Sequence, residues 1–266
     1  MNRVKIRKIV FGEGRPKICV PITGRTREEI ALRTAELKAA KPDLAEWRAD
    51  WYEEVFDRKK LEEMLERLRG ELGELPLLVT FRTKEEGGEQ SIGAEAYAEF
   101  LRTVLASGQA DLIDVELFRG EALLRDICEE ARKKGIRVIA SSHDFEKTPA
   151  KEEIIERLTR MQDCGADLLK LAAMPRDAGD VLTLLSATWE MKEQYAKQPV
   201  VTMSMGAKGA VSRLAGEVFG SVMTFGSAGV ASAPGQVNVP ELKMALEVLR
   251  QQGWDISHQA LRQGIA

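Results

Sequence analysis

Residues 137–174 read RVIASSHDFEKTPAKEEIIERLTRMQDCGADLLKLAAM. Two short apolar runs, 137–144 and 168–174, flank a longer charged run, 151–164. Short apolar runs are typical of buried strands, whereas a longer run with apolar residues at helical spacing is typical of an amphipathic helix. Gly165 follows that helix, where a left-handed C-cap is easiest for glycine. The stretch therefore predicts a strand–helix–strand unit with parallel strands.

The same alternation recurs along the chain. The predicted strands are residues 17–23, 44–50, 77–83, 112–118, 137–144, 168–174, 200–206 and 222–228. The predicted helices are residues 26–41, 58–72, 94–107, 121–134, 151–164, 178–195, 212–220 and 240–252. Eight such units in 266 residues favour a closed (β/α)8 TIM barrel, an α/β fold forming a single domain over residues 1–266. A doubly wound open sheet is the alternative, but no Gly-x-Gly-x-x-Gly follows the first strand.

The residues before the first predicted strand suggest an additional element. Residues 4–10 alternate between apolar and polar types and precede Gly12-Glu13-Gly14. This pattern is typical of a short β-hairpin. We expect the hairpin to close the bottom of the barrel, at the N-terminal ends of the strands.

Composition limits the partners that we expect. The chain has 39 Lys and Arg against 42 Asp and Glu, a formal charge of -3, so no electrostatic footprint for nucleic acid is present. No segment is apolar enough to span a membrane. The first residues lack the apolar region of a secretory signal, which favours a cytoplasmic location.

The cysteines do not suggest a disulfide or a metal site. Cys19, Cys128 and Cys164 are far apart, and no pair has zinc-ligand spacing. We interpret each as a small packed residue rather than a nucleophile. No metal and no organic cofactor are expected.

Several predicted strands carry charged residues that an apolar core would not accommodate. Glu46 and Arg48 share one face of the second strand, and Arg82 ends the third. Asp114 and Glu116 share a face of the fourth. Active sites of this fold lie at the C-terminal ends of the strands. For Asp114 and Glu116 we favour a structural ion-pair network.

Two residues on neighbouring strands suggest chemistry. Lys170 stands among leucines inside the sixth predicted strand, where burial favours the uncharged, nucleophilic amine. His143 ends the fifth strand, where it could act as a general acid and base. Alone, His143 could equally be a hydrogen-bonded loop residue, but a candidate nucleophile one strand away favours catalysis.

Three further segments could contribute to the same site. Glu85-Glu86-Gly87-Gly88 follows Arg82, and either glutamate could orient a histidine. Ser212-Arg213 is predicted to open the seventh helix, where free backbone N–H groups would help an arginine hold an anion. Residues 232–236, after the eighth strand, form either a plain turn or a lid over a substrate.

Taken together, the motifs resemble type I 3-dehydroquinate dehydratase over essentially the whole chain. The matching segments are Glu46-Trp47-Arg48-Ala49-Asp50, Thr80-Phe81-Arg82-Thr83, Glu86-Gly87-Gly88, Ser141-Ser142-His143-Asp144-Phe145-Glu146-Lys147-Thr148-Pro149, Lys170-Leu171-Ala172, Met203-Ser204-Met205-Gly206, Ser212-Arg213 and Ser232-Ala233-Pro234-Gly235-Gln236. They occur in order, and each lies near a predicted strand end.

The resemblance implies a role for each position. Lys170 would form an imine with a substrate ketone, His143 would be the general acid and base, and Glu86 would orient it. The residues implied to bind the substrate are Glu46, Arg48, Arg82, Arg213, Ser232 and Gln236. Arg213 would bind the carboxylate. The resemblance also implies a homodimer.

The implied reaction converts 3-dehydroquinate to 3-dehydroshikimate and water in the shikimate pathway, by way of a lysine Schiff base. A protonated imine is itself an electron sink, so the chemistry requires no cofactor. Two other classes stay open: another Schiff-base barrel enzyme such as an aldolase, and a non-catalytic barrel. A catabolic role in quinate breakdown is a further alternative to a biosynthetic one.

Overall fold

The computed structural model describes residues 1–229 and 235–251. The strands are β1 Val4–Ile6, β2 Ile9–Phe11, β3 Lys17–Ile22, β4 Leu44–Arg48, β5 Leu77–Thr80, β6 Leu112–Glu116, β7 Arg137–Asp144, β8 Leu168–Ala173, β9 Val200–Ser204, β10 Met223–Ser227 and β11 Val237–Asn238. The α-helices are α1 Arg27–Ala40, α2 Arg58–Leu72, α3 Ala94–Ser107, α4 Glu121–Lys134, α5 Lys151–Asp163, α6 Ala178–Glu190, α7 Ala210–Leu214, α8 Gly216–Phe219 and α9 Val239–Gln251.

The eight strands from β3 to β10 form a parallel barrel. Each pairs with the next along the chain up to β9, and β10 returns to pair with β3. A parallel bridge between Val200 and Ser221 joins the β9 and β10 segments and closes the ring. The predicted (β/α)8 barrel is confirmed.

Several strands end earlier than predicted because their last residues turn away from the sheet. Residues Ala49–Trp51, after β4, and Leu117–Arg119, after β6, form single turns of 3-10 helix. Both turns follow the C-terminal ends of their strands, the end of the barrel where this fold places its active sites.

The helices pack against the sheet through one face, as predicted. In α4 the buried positions are Leu124, Ile127, Cys128 and Ala131, which follow helical spacing. Gly165, after α5, has the predicted positive φ of 90°. Cys19 and Cys164 are also buried, and all three cysteines are free thiols.

The N-terminal hairpin of β1 and β2 is also confirmed. Its strands are antiparallel, and Val4, Ile6 and Phe11 are buried in the same apolar cluster as Leu44 and other residues inside the barrel. The hairpin thus covers the bottom of the barrel with apolar side chains. The buried charged residues of the barrel strands lie towards the opposite, C-terminal end.

A repeated aspartate also fixes the bottom of the barrel. Asp43, Asp111 and Asp167 each precede a strand. Each carboxylate accepts a hydrogen bond from a backbone N–H of the preceding strand region, and each forms an ion pair with an arginine. The backbone donors are Ile18, Leu77 and Val138. These contacts tie adjacent strands together at the end away from the cleft.

One predicted element is wrong in position. The seventh helix was expected over residues 212–220, but α7 spans Ala210–Leu214 and a separate turn, α8, spans Gly216–Phe219. Arg213 therefore lies in the last turn of α7. The α-helical part of the sixth helix ends at Glu190, and a short π-helix, Met191–Tyr195, follows it directly.

Candidate active site

A cleft opens at the C-terminal end of the barrel, with about 680 Å³ of space that includes open solvent. Its walls bring together the predicted site residues from six strands and their loops. The predicted residues that line it are Glu46, Arg48, Arg82, Glu86, His143, Lys170, Arg213 and Gln236. Ser232 lies outside the described residues. Met203, Met205 and Phe225 supply apolar wall.

Lys170 projects from β8 into the barrel, where it is 4% exposed. Its Nζ lies 3.3 Å from Asp114 Oδ2, 3.9 Å from Glu46 Oε1 and 4.7 Å from the centroid of the Phe225 ring. The neighbouring leucines belong to the layer between sheet and helices. The amine is therefore buried, as expected, but its contacts are carboxylates and an aromatic face rather than leucines.

His143 and Glu86 are held together by one carboxylate oxygen. Glu86 Oε2 lies 2.8 Å from His143 Nδ1 and accepts a hydrogen bond of 2.9 Å from the His143 backbone N–H. The other ring nitrogen, Nε2, is left for a bound molecule. Glu85 is exposed, so the structure selects Glu86 from the pair that the sequence left open.

The surroundings shift both groups towards their neutral forms. Burial first, and then the nearby Glu116 carboxylate, raise the pKa of Glu86 to about 8 against the opposing effect of Arg82. Burial also lowers the pKa of His143 well below its ordinary value, and three neighbouring cations lower it further. Those cations are Arg82, Lys170 and Arg48. Neutral His143 can accept a proton at Nε2 once the pair that it forms with Glu86 has lost its own proton.

Glycines shape the loop that carries Glu86, residues 83–90. Gly87 has a φ of 83° and lies against the Phe145 ring, and Gly88 N donates a 2.8 Å hydrogen bond to Thr83 O. A Cβ on Gly88 would stand 1.9 Å from the Arg82 carbonyl oxygen. The loop therefore closes on itself so tightly that only glycine fits at position 88.

Arg82 is the centre of a buried ion-pair network. Its Nη1 lies 2.8 Å from Glu116 Oε1 and its Nη2 lies 2.8 Å from Asp114 Oδ2. Ser141 Oγ accepts a 3.0 Å hydrogen bond from Arg82 and donates a 2.6 Å bond to Asp114. The network predicted for Asp114 and Glu116 is present, and through Asp114 it reaches Lys170 directly.

Asp50 is a buried site neighbour to which the sequence reading assigned no role. It does not line the cleft, but it forms a bidentate ion pair with Arg48, with both N–O distances 2.8 Å. It also accepts hydrogen bonds from the backbone N–H groups of Arg82 and Glu89. Its place two residues after Arg48 was a signal available in the sequence.

Arg213 reaches the cleft from α7 and is 2% exposed. Its Nη1 lies 3.8 Å from Met203 Sδ, and burial lowers its pKa to about 10. The expectation that Arg213 opens a helix is wrong, because α7 begins at Ala210. The first-turn N–H groups of that helix therefore give no support to an anion at Arg213.

Gln236 lines the cleft from the segment after β10, just before β11. The preceding Gly235 has a φ of 78°, and a Cβ there would lie 2.3 Å from the Gly206 carbonyl oxygen. This close contact holds the described part of the loop against the end of the β9 segment.

Comparison with known proteins identifies the family. A sequence profile described as Type I 3-dehydroquinase matches residues 18–253. The chain belongs to the type I 3-dehydroquinase family. It is 50% identical to the 3-dehydroquinate dehydratase of Syntrophotalea carbinolica, covering 95% of this chain and all of the relative. It is 51% identical to the enzyme of that name from Listeria monocytogenes, with the same coverage.

Solved 3-dehydroquinases share the fold of this chain. The crystal structure of the type I enzyme from Clostridium difficile, with covalently modified comenic acid, is 48% identical, with a TM-score of 0.91 over 94% of this chain and 99% of that chain. The Geobacillus kaustophilus 3-dehydroquinate dehydratase is 34% identical, with a TM-score of 0.92 over 95% of this chain and 98% of that chain.

No helix in residues 1–229 or 235–251 is long and apolar enough to cross a membrane. In that same part of the chain, no group of three or more His, Cys, Asp or Glu side chains is arranged to hold a metal ion.

Proposed function

We propose that this 3-dehydroquinase family member converts 3-dehydroquinate to 3-dehydroshikimate and water in the shikimate pathway, as a hydro-lyase acting through a lysine Schiff base. The observation that carries the proposal is one cleft with a buried amine, Lys170, and a histidine, His143, bonded to Glu86. Several buried guanidinium groups line the same cleft and suit a hydroxylated carboxylate.

In the first step, His143 takes up a proton that Lys170 releases, and the free amine attacks the ketone carbon. His143 returns that proton to the departing hydroxyl, so water leaves and a protonated imine forms. The positive charge of the iminium lies near the position of Lys170 Nζ, which is 3.3 Å from Asp114 Oδ2. Arg82 and Lys170 lower the pKa of Asp114 against the effect of its burial, so its carboxylate is ionised at neutral pH. Asp114 is thus arranged in advance to stabilise the iminium.

His143 transfers the protons of the elimination. Its Nε2 accepts the α-proton, and the electron pair moves into the imine to give an enamine. As the enamine reverts to an imine, the β-hydroxyl leaves with the proton from His143. Hydrolysis then releases the enone product and restores Lys170. General acid–base catalysis of this kind contributes about 10²–10⁴-fold.

The remaining charged groups bind and orient the substrate. Arg213 binds the carboxylate, while Glu46, Arg48 and Arg82 contact the ring hydroxyls. Ser232 and Gln236 complete the binding site from the loop after β10, which closes over the substrate as a lid. The iminium serves as the electron sink, so the proposed reaction needs neither metal nor organic cofactor.

Three further properties are part of the proposal. The chain acts as a single domain over residues 1–266, works in the cytoplasm and forms a homodimer. The parallel barrel supports the single domain, and the resemblance to type I 3-dehydroquinases supports the location and the homodimer.

The decisive experiment follows absorbance of the conjugated enone formed from 3-dehydroquinate, which itself lacks that chromophore. Wild-type protein should produce the enone, and the Lys170→Ala variant should not. A chelator should leave the rate unchanged. Absence of enone with the folded wild-type protein, or a rate restored only by a divalent ion, would contradict the proposal.

A further inference from the structure

The buried carboxylate of Asp50 is the point where two parts of the cleft meet. Asp50 is fully buried in the 3-10 turn after β4. Its two carboxylate oxygens each accept one hydrogen bond from the Arg48 guanidinium. Its oxygens also accept the N–H groups of Arg82 and Glu89, which lie on either side of the residues that carry Glu86.

The main chain of the same turn holds that loop as well. Gln90 Nε2 donates hydrogen bonds to the carbonyl oxygens of Asp50, at 2.7 Å, and Tyr52, at 3.1 Å. Inside the loop, Thr83 pairs with Gln90, so its two ends are joined. Residues 83–90 therefore form a closed loop anchored at both ends to the turn around Asp50.

We propose that Asp50 is a positioning residue that aligns Arg48 with the loop carrying Glu86. This proposal rests on the dehydratase function and assigns Asp50 two tasks in it. One task is to orient the Arg48 guanidinium towards the substrate. The other is to hold the loop so that Glu86 meets His143. An arginine held by a bidentate carboxylate keeps a fixed plane, which suits recognition of hydroxyl groups.

The two tasks predict two separable kinetic effects. Asp50→Asn keeps the side-chain size but removes the charge and one hydrogen-bond acceptor. Loosening Arg48 should raise KM, and loosening the Glu86 loop should lower kcat. Because displacement of about 1 Å can cost on the order of 100-fold, kcat/KM should fall by up to about 100-fold. Lys170 should still be trapped by borohydride with substrate, because Asp50 does not touch it.

Double-variant cycles distinguish positioning from a general structural role. The KM effect of Asp50→Asn should shrink in an Arg48→Lys background, and its kcat effect should shrink in a Glu86→Gln background. Interacting residues give non-additive effects, whereas independent ones add. Losses of equal size in all backgrounds, or kcat and KM within twofold of wild type, would overturn the proposal.

A matched control exists at the other end of the same strand. Asp43 also binds an arginine through two hydrogen bonds and also accepts a backbone N–H, from Ile18. Asp43→Asn should therefore lower stability but leave kcat and KM unchanged. A similar kinetic loss in Asp43→Asn would mean that destabilisation alone explains the Asp50 result.

A second variant keeps the test decisive if Asp50→Asn does not fold. Gln90→Leu removes the bonds to the turn around Asp50 while leaving the Arg48 ion pair intact. It should lower kcat with KM unchanged, and unchanged kcat would overturn the loop part of the proposal. If the wild-type protein itself forms no enone, the proposed dehydratase function is wrong. If the wild-type protein is active and its variants have equal kinetics, only the positioning role of Asp50 is wrong.

Discussion

A single oxygen of Glu86 contacts His143 twice, at 2.8 Å from ring Nδ1 and at 2.9 Å from the backbone nitrogen. The carboxylate therefore fixes both the ring and the main chain that carries it. Because the two groups share one hydrogen bond, they release a proton as a pair, and the apparent pKa belongs to that pair.

This pairing predicts the acid limb of the pH profile. A proton held by the pair blocks Nε2 as a base, so kcat/KM should rise with pH as the pair deprotonates, near the Glu86 pKa of about 8. Glu86→Gln removes the carboxyl titration. The remaining titration is that of His143, whose pKa burial lowers, so the acid limb should move to lower pH.

Steady-state kinetics across pH would measure both the acid limb and the high-pH plateau of kcat/KM. In Glu86→Gln the plateau should fall by about 10- to 100-fold, as for loss of an orienting carboxylate. His143→Ala should abolish α-proton exchange at every pH yet permit imine formation. An unchanged acid limb in Glu86→Gln would exclude the carboxyl as the titrating partner.

Lys170 should be the single site of covalent trapping. Borohydride added with 3-dehydroquinate should convert the imine to a secondary amine, detected by intact mass and peptide mapping. Lys170→Ala should lose both adduct and turnover. Lys151 pairs with Glu190 on the surface, so Lys151→Ala should retain both. An adduct on any other lysine would refute the assignment.

Arg213 should bind the substrate carboxylate. With a pKa of about 10 it remains a cation at neutral pH. Arg213→Ala should weaken substrate binding by about 1.5–3 kcal/mol, as for a hydrogen bond between charged groups, and Gln236→Ala should cost less. Single-turnover kinetics with a decarboxylated analogue provides the check. An equal loss for both substrates would show that Arg213 does not bind the carboxylate.

Gly88 should be essential for the loop that carries Glu86. In Gly88→Ala the new Cβ must displace the Arg82 carbonyl, so stability should fall by about 1–3 kcal/mol and kcat should fall with it. Gly70 lies inside α2 with nothing within 4 Å. Gly70→Ala should instead stabilise by about 0.5–1 kcal/mol. Chemical denaturation and kcat, measured together, would test the pair.

The barrel and most of the cleft were predictable because strand alternation is a local property. Glu46 and Arg48, two residues apart, share a face whatever surrounds them. The partners of a buried group are not local. The leucines beside Lys170 said nothing about Asp114, which approaches from another strand 56 residues away.

The misplaced seventh helix has a similar cause. Ser212 resembles an N-cap in the sequence, but its hydroxyl accepts from Ser204 N and donates to Gly209 O. The helix cap is Gly209, which supplies no side-chain bond. A serine used to join a helix to a neighbouring strand cannot be distinguished from a capping serine by spacing alone.

The closure of the barrel at β9 and β10 has a consequence for the loaded protein. Among residues 1–229 and 235–251, every other junction between neighbouring barrel strands has at least two paired residues. The β9–β10 junction has the Val200–Ser221 bridge, and there the Ser221 hydroxyl accepts a hydrogen bond from Thr202 N. A molecule bound between Lys170 on β8 and Phe225 on β10 would contact the strands on both sides of β9 and so bridge the β9–β10 junction. Occupancy should slow amide exchange there first, and raise the melting temperature as ligand concentration exceeds Kd.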